Sequence, residues 1–213
     1  MWEDSHIPND IELMANSIRD GTLSCVTYGS YDRKKGKDIC GSDWVIFYTR
    51  SRKYLMGSFT ELSNLTSSYR GELCGMLARN LFFLAVKENY DVRRDNIKVH
   101  CDNKSTIFTF QRKGKLVPAG VKNANIQCVL QQVCQQIESC HLAHHVHANQ
   151  NDYTWCSLFS LEAQINCMCG DLLKAAINVT IMHDTAPTET LPLKDVIVVI
   201  NGEKQTTDVA KGL

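Results

Sequence analysis

The sequence predicts an α/β domain built on a mixed sheet, an antiparallel meander plus parallel strands, with helices on both faces. Two observations lead there. Apolar periodicity switches between about 2 and about 3.6 residues along the chain, giving the order βββ-α-β-α-α-β-α. The first three strand-like runs also follow one another without a helix, so they pair as neighbours. A chain of 213 residues, 44% apolar and 22% charged, is large enough for one such domain plus extensions.

Residues 5–20 read as a short amphipathic helix ending near Asp20-Gly21. Strands follow at Thr22–Ser30, Asp43–Thr49 and Lys53–Phe59. The stretch CVTYGSYD ends the first of them, with Gly29-Ser30 read as a turn, and the polar link YDRKKGKDICGS is expected to be a hairpin loop. Ser67-Ser68 offers N-caps for a long helix in which Leu73, Met76, Leu77, Leu81 and Leu84 recur at helical spacing to about Tyr90. Ile97–Cys101 is a short strand, Lys104–Gln111 a short helix, 124–138 a third helix and His141–His147 the last strand of the sheet. Leu158–Ile177 is the final amphipathic helix. In the tail, Val196–Ile200 and Lys204–Thr207 flank Asn201-Gly202, a strong hairpin signal. The organisation expected is a helical extension over 1–20, a domain over 21–178, and a linker with a hairpin tail over 179–213.

Formal net charge is zero, so no global basic field points to nucleic acid and any polyanion must meet a local patch. No apolar run reaches the roughly 20 residues that span a bilayer. MWEDSHIPND is acidic and polar, unlike a signal peptide. The expectation is an intracellular protein, cytoplasmic or nuclear, with no membrane partner. The ten cysteines, scattered mostly through apolar-periodic segments, then read as reduced, buried thiols.

Three carboxylates stand at chemically suggestive places. Glu72 opens the long helix, Asp102 ends a strand, and Asp171 lies in the last helix. Singly, each has an ordinary reading: a dipole-favoured first-turn acid, a helix cap, a solvated helix charge. Their order, with the stretches around them, resembles the ribonuclease H family. SSYRGELCGMLA resembles that family's Ser-Arg-x-Glu helix start, VHCDNKSTI its strand ending in Asp-Asn, and HHVHANQND its histidine loop. LEAQINCMCGDLLKAA resembles the last helix of retroelement members, and LPLKDVIVVINGEKQTT the segment that follows the domain in reverse-transcriptase polyproteins.

The resemblance implies a ribonuclease H-like fold of five strands. It implies hydrolysis of RNA in RNA–DNA hybrids with Mg²⁺ or Mn²⁺, and a reverse-transcriptase portion as a neighbour in a longer polyprotein. Such hydrolysis uses two cations about 4 Å apart to stabilise the attacking and leaving oxygens. Mg²⁺ prefers oxygen ligands, hence Asp and Glu. Glu72 and Asp102 fall on catalytic, metal-binding positions.

Two positions depart from the pattern. The first strand carries Tyr28 where active relatives carry the bridging aspartate. A phenol, with an ordinary pKa near 10, is a poor Mg²⁺ ligand. Asp32, about 13 Å further along the strand, is no substitute. In the last helix, the family's spacing puts the fourth carboxylate, an aspartate, four residues past Asn166, where this chain has Gly170, with Asp171 one step on and about 100° round. Asp171 would serve as a ligand only if the helix were shifted or kinked at Gly170. In the loop, Asn149 stands at the histidine position, with His147 two residues earlier. The expectation is a hydrolase weakened or dead, its cations bound weakly or not at all. The residues expected on nucleic acid are Arg70, Asn103, Lys104, Arg112, Lys113, Lys115, His147 and Asn149.

Two other readings stay open. One is nucleic-acid binding without catalysis, through Arg93-Arg94, Lys98 and the Arg112–Lys115 run. The other is a metal-binding interaction domain using Cys134, Cys140, His141, His144, His145, His147, Cys167 and Cys169. It lacks a CxxC pair, and strand alternation splits the histidines.

Overall fold

The computed structural model describes residues 11–34, 37–50, 53–62, 66–92, 97–112, 115–118, 120–137, 142–147, 158–183, 199–200 and 203–204. Helix α1 (Ile11–Arg19) leads into an antiparallel meander of β1 (Leu23–Lys34), β2 (Lys37–Tyr48) and β3 (Tyr54–Leu62). Then come α2 (Ser68–Tyr90), β4 (Lys98–Cys101), α3 (Lys104–Gln111), α4 (Ala124–Ile137), β5 (Leu142–His145) and α5 (Leu161–His183). The sheet order is β3-β2-β1-β4-β5, with β4 parallel to β1 and β5 parallel to β4. This is the expected five-stranded mixed sheet.

The meander differs from expectation in its first connection. Residues 31–34 and 37–42 continue β1 and β2 in register, with Lys34 opposite Lys37, rather than forming a loop. Nor is there a turn at Gly29-Ser30. Cross-strand pairs hold this polar ribbon: the Tyr31 hydroxyl donates to Asp38 at 2.9 Å, and Arg33 lies 3.4 Å from the same carboxylate. Ile39 and Cys40 on the returning strand are fully buried.

Helices cover both faces. On one side α2, buried along residues 70–80, is flanked by α1 and α4, and Leu73, Met76, Leu77 and Phe83 meet Cys25, Trp44, Ile46 and Leu55 of the strands. On the other side α5 lays Ile165, Cys169, Leu173 and Ile177 over Val26, Tyr28, Val45 and Phe47. Strand alternation assigns the two sets. Helix α5 continues through residue 178, where the sequence suggested the domain's end, to His183. The tail carries the expected hairpin pairing, Val199 opposite Lys204 between β6 (Val199–Ile200) and β7 (Glu203–Lys204). No described helix is long and apolar enough to cross a membrane. No disulfide joins the described cysteines, most of which are buried.

Candidate active site

Glu72 reaches the sheet because two glycines let α2 touch it. A Cβ on Gly29 would lie 2.2 Å from the Glu72 nitrogen, and one on Gly71 would lie 2.3 Å from the Gly41 carbonyl oxygen. Ser67 caps the helix just ahead, accepting from the Arg70 amide at 3.1 Å. Strand β4 ends at Cys101 opposite Thr27, so β1 has no ladder partner on that side further along. The Gly29 N–H turns to the Glu72 carboxylate instead, at 2.5 Å. Gly29 is therefore a close-approach residue in mid-strand, not a turn residue.

Asp102 follows β4 directly and is half-buried. Its carbonyl accepts from His145 Nε2 at 3.1 Å. Asn103 then caps α3, accepting from the Thr106 amide at 3.1 Å. The Cys101 thiol donates to the second Glu72 oxygen at 3.2 Å. Ligand atoms of Glu72, Cys101 and Asp102 all lie within 4.8 Å of one another. Burial, and then the neighbouring Asp102 charge, push the Glu72 carboxyl well above the usual carboxylate range.

The two departures from the pattern meet in space. Tyr28 is only 8% exposed and faces α5. A Cβ on Gly170 would lie 3.3 Å from Tyr28 Cζ and 3.5 Å from its hydroxyl oxygen. The phenol ring thus rests on the helix where Gly170 has no side chain. Burial pushes the hydroxyl up to about 12, aided by the charges of Asp102, Glu72 and Asp171. It is a neutral group set among acids.

Helix α5 runs unbroken through Gly170, so nothing shifts Asp171 inward. Asp171 is 68% exposed and lies 3.8 Å from Lys174. Its charge is felt by Tyr28, but it stands outside the Glu72–Cys101–Asp102 group. With no shift of the helix, the one-residue offset leaves Asp171 turned to solvent.

No family model matches the chain, and no curated protein does. Solved structures do. The LC11 RNase H1, isolated from compost by a metagenomic approach, matches with a TM-score of 0.54 at 11% identity, over 76% of this chain and 99% of that one. The solution structure of the PFV RNase H domain matches with a TM-score of 0.52 at 11% identity, over 74% and 95%. The fold is that of ribonuclease H. The LC11 protein in complex with RNA/DNA hybrid also matches, with a TM-score of 0.51 at 10% identity over 75% of this chain and 99% of that one.

The ribonuclease H fold sorts the remaining candidates by exposure. Arg70 is fully buried and makes a forked pair with Glu61, Nε at 2.6 Å and Nη2 at 2.8 Å, with Asn123 at 3.3 Å. It cannot meet a phosphate, and its assignment to nucleic acid is overturned. Its charge is consumed in tying α2 to the end of β3. Lys104, Arg112 and Lys115 are exposed. Between the first two on α3 stands Phe108, 64% exposed, with the Arg112 guanidinium 5.6 Å from its ring centre. They border an open groove of about 480 Å³ that reaches Tyr69 and Gln127. The sequence reading missed Phe108, although Lys104, Phe108 and Arg112 recur every four residues on one helix face. His147 is exposed, edge-on to His145 at 5.2 Å. Lys113 and Asn149 lie outside the described residues, as do Arg93, Arg94, Cys140 and His141. Among the described residues, the only group able to offer three metal ligands contains no histidine. The zinc reading therefore gains no described site.

Proposed function

We propose that this chain is a nucleic-acid-binding domain of ribonuclease H type whose hydrolytic centre is disabled. One observation carries the reading: the Tyr28 ring rests against Gly170, so the two positions that resemblance gives to aspartates hold a phenol and a glycine in mutual contact. A pair of Mg²⁺ ions does not fit these residues. Two of the four carboxylate positions that the resemblance implies hold no carboxylate, and the Tyr28 ring fills space between β1 and α5. Glu72 and Asp102 can offer oxygens to at most a weakly held single Mg²⁺ or Mn²⁺, beside a thiol that suits neither ion. Metal stabilisation of the transition state is worth several kcal/mol, so losing the bridging carboxylate costs about a thousandfold or more in rate.

The ligand proposed is an RNA–DNA hybrid, held by Lys104, Arg112 and Lys115 on phosphates and by Phe108 against the strand. The LC11 protein's complex with such a hybrid supports this choice. Association with a reverse-transcriptase portion of a longer polyprotein is proposed from the tail motif. Likeness to foamy virus protease-reverse transcriptase supports it (TM-score 0.51, 10% identity, 72% of this chain and 20% of that one). The proposed setting is intracellular.

Binding and cleavage of a labelled hybrid test the reading together. The expected result is binding that weakens steeply with salt, and no turnover in Mg²⁺ or Mn²⁺. Turnover comparable to an intact ribonuclease H would sink the disabled-centre proposal. Failure to bind at low salt would leave a purely structural domain.

A further inference from the structure

Asp43 is an acid with no role in the site above. It lies on β2, opposite Tyr28 of β1 and Ser58 of β3, and shares its strand face with Val45 and Phe47 under α5. It is 3% exposed, and neither carboxylate oxygen has a hydrogen-bond partner among the described residues. Such burial without a partner costs several kcal/mol. Beside it, at the β3 edge, is a cavity of about 90 Å³ lined by Asp43, Val45, Met56, Ser58 and Leu172. The lining offers one carboxylate and one hydroxyl among otherwise mostly apolar residues.

We propose that this cavity binds a small alkylammonium, its N–H groups on the Asp43 carboxylate and its alkyl part against Val45, Met56 and Leu172. A charge-assisted bond to a desolvated carboxylate is the strong kind, and the apolar walls match a short carbon chain. A divalent ion fits less well. Mg²⁺ takes six oxygens in a strict octahedron, whereas the side chains lining this cavity offer it only the Asp43 carboxylate and the Ser58 hydroxyl. The proposal is independent of hydrolysis, since β1 separates the strand that carries Asp43 from β4, which leads into Asp102.

The test is a titration of the whole chain with ethylammonium chloride at about pH 8, where an acid titrating near 7 is ionised. Backbone amide NMR shifts at residues 43–45 and 56–58 are followed. Tetramethylammonium chloride at equal ionic strength is the control, since it carries the charge without an N–H. The expected result is a saturable shift with ethylammonium that is weaker by about tenfold or more with tetramethylammonium and with Asp43→Asn. Leu172→Trp, which fills the cavity from a half-exposed position, is expected to lose binding too. Equal shifts in the two salts, or an unchanged titration in both variants, would overturn the proposal.

Discussion

Asp43→Asn should change how stability depends on pH. Burial raises the Asp43 carboxyl from its ordinary 3.8 to about 7. Between about pH 4 and pH 7 the folded chain holds a proton that the unfolded chain has released, so this group's contribution is full below the unfolded value. It is lost as pH rises through the window, and is flat above it. Each pKa unit corresponds to about 1.4 kcal/mol, so about three units set a ceiling near 4 kcal/mol. Relaxation and water entry should bring the measured loss to about 2 kcal/mol. The neighbouring titratable groups are Tyr28 on β1, raised to about 12, and Cys169 on α5, raised by burial; both stay neutral throughout this window. Urea melts at several pH values, on the natural chain and on Asp43→Asn, isolate the effect. Glu72 and the other carboxyls cancel in the difference. The natural chain should lose about 2 kcal/mol more than the variant between pH 4 and pH 8. Parallel pH profiles would show that Asp43 is solvated or paired, and the burial argument would fail.

Three further outcomes follow from the geometry. Gly29→Ala should destabilise by more than about 3 kcal/mol in a urea melt, because the new Cβ would meet helix backbone at 2.2 Å rather than a movable side chain. Arg70→Met should cost about 3–5 kcal/mol by removing the guanidinium from its buried forked pair with Glu61. The salt dependence of hybrid binding should be unchanged in whatever fraction of that variant folds. Arg112→Ala should lower the salt slope of hybrid binding by about one, and Phe108→Ala should cost about 1–3 kcal/mol of binding, with unfolding midpoints of both variants near that of the natural chain.

The sequence reveals those parts of this molecule that rest on local periodicity. Helices α2, α3 and α4 start and stop within a residue of expectation, since capping and apolar spacing are local signals. The β1–β2 ribbon escapes notice because its outer part carries polar cross-strand pairs such as Arg33 and Asp38, which show no apolar alternation. Glu72 and Asp102 are legible from their order and flanking motifs. Arg70 is misread because its partner Glu61 lies on another element, across a loop, and only tertiary packing joins them. Asp43 carries a signal in plain view: it occupies the inward parity of a strand whose next two inward residues are Val45 and Phe47. The contact of Tyr28 with Gly170 has no local signature at all, since it brings a strand against a helix about 140 residues away.

The most direct test of the disabled centre is a hybrid-cleavage assay, with Mg²⁺ and with Mn²⁺, on the natural chain beside the double variant Tyr28→Asp, Gly170→Asp. The double variant restores both carboxylates and removes the ring between them. The natural chain should cleave slower than the restored variant by about a thousandfold or more. Equal rates in the two proteins would contradict the claim that Tyr28 and Gly170 silence the site.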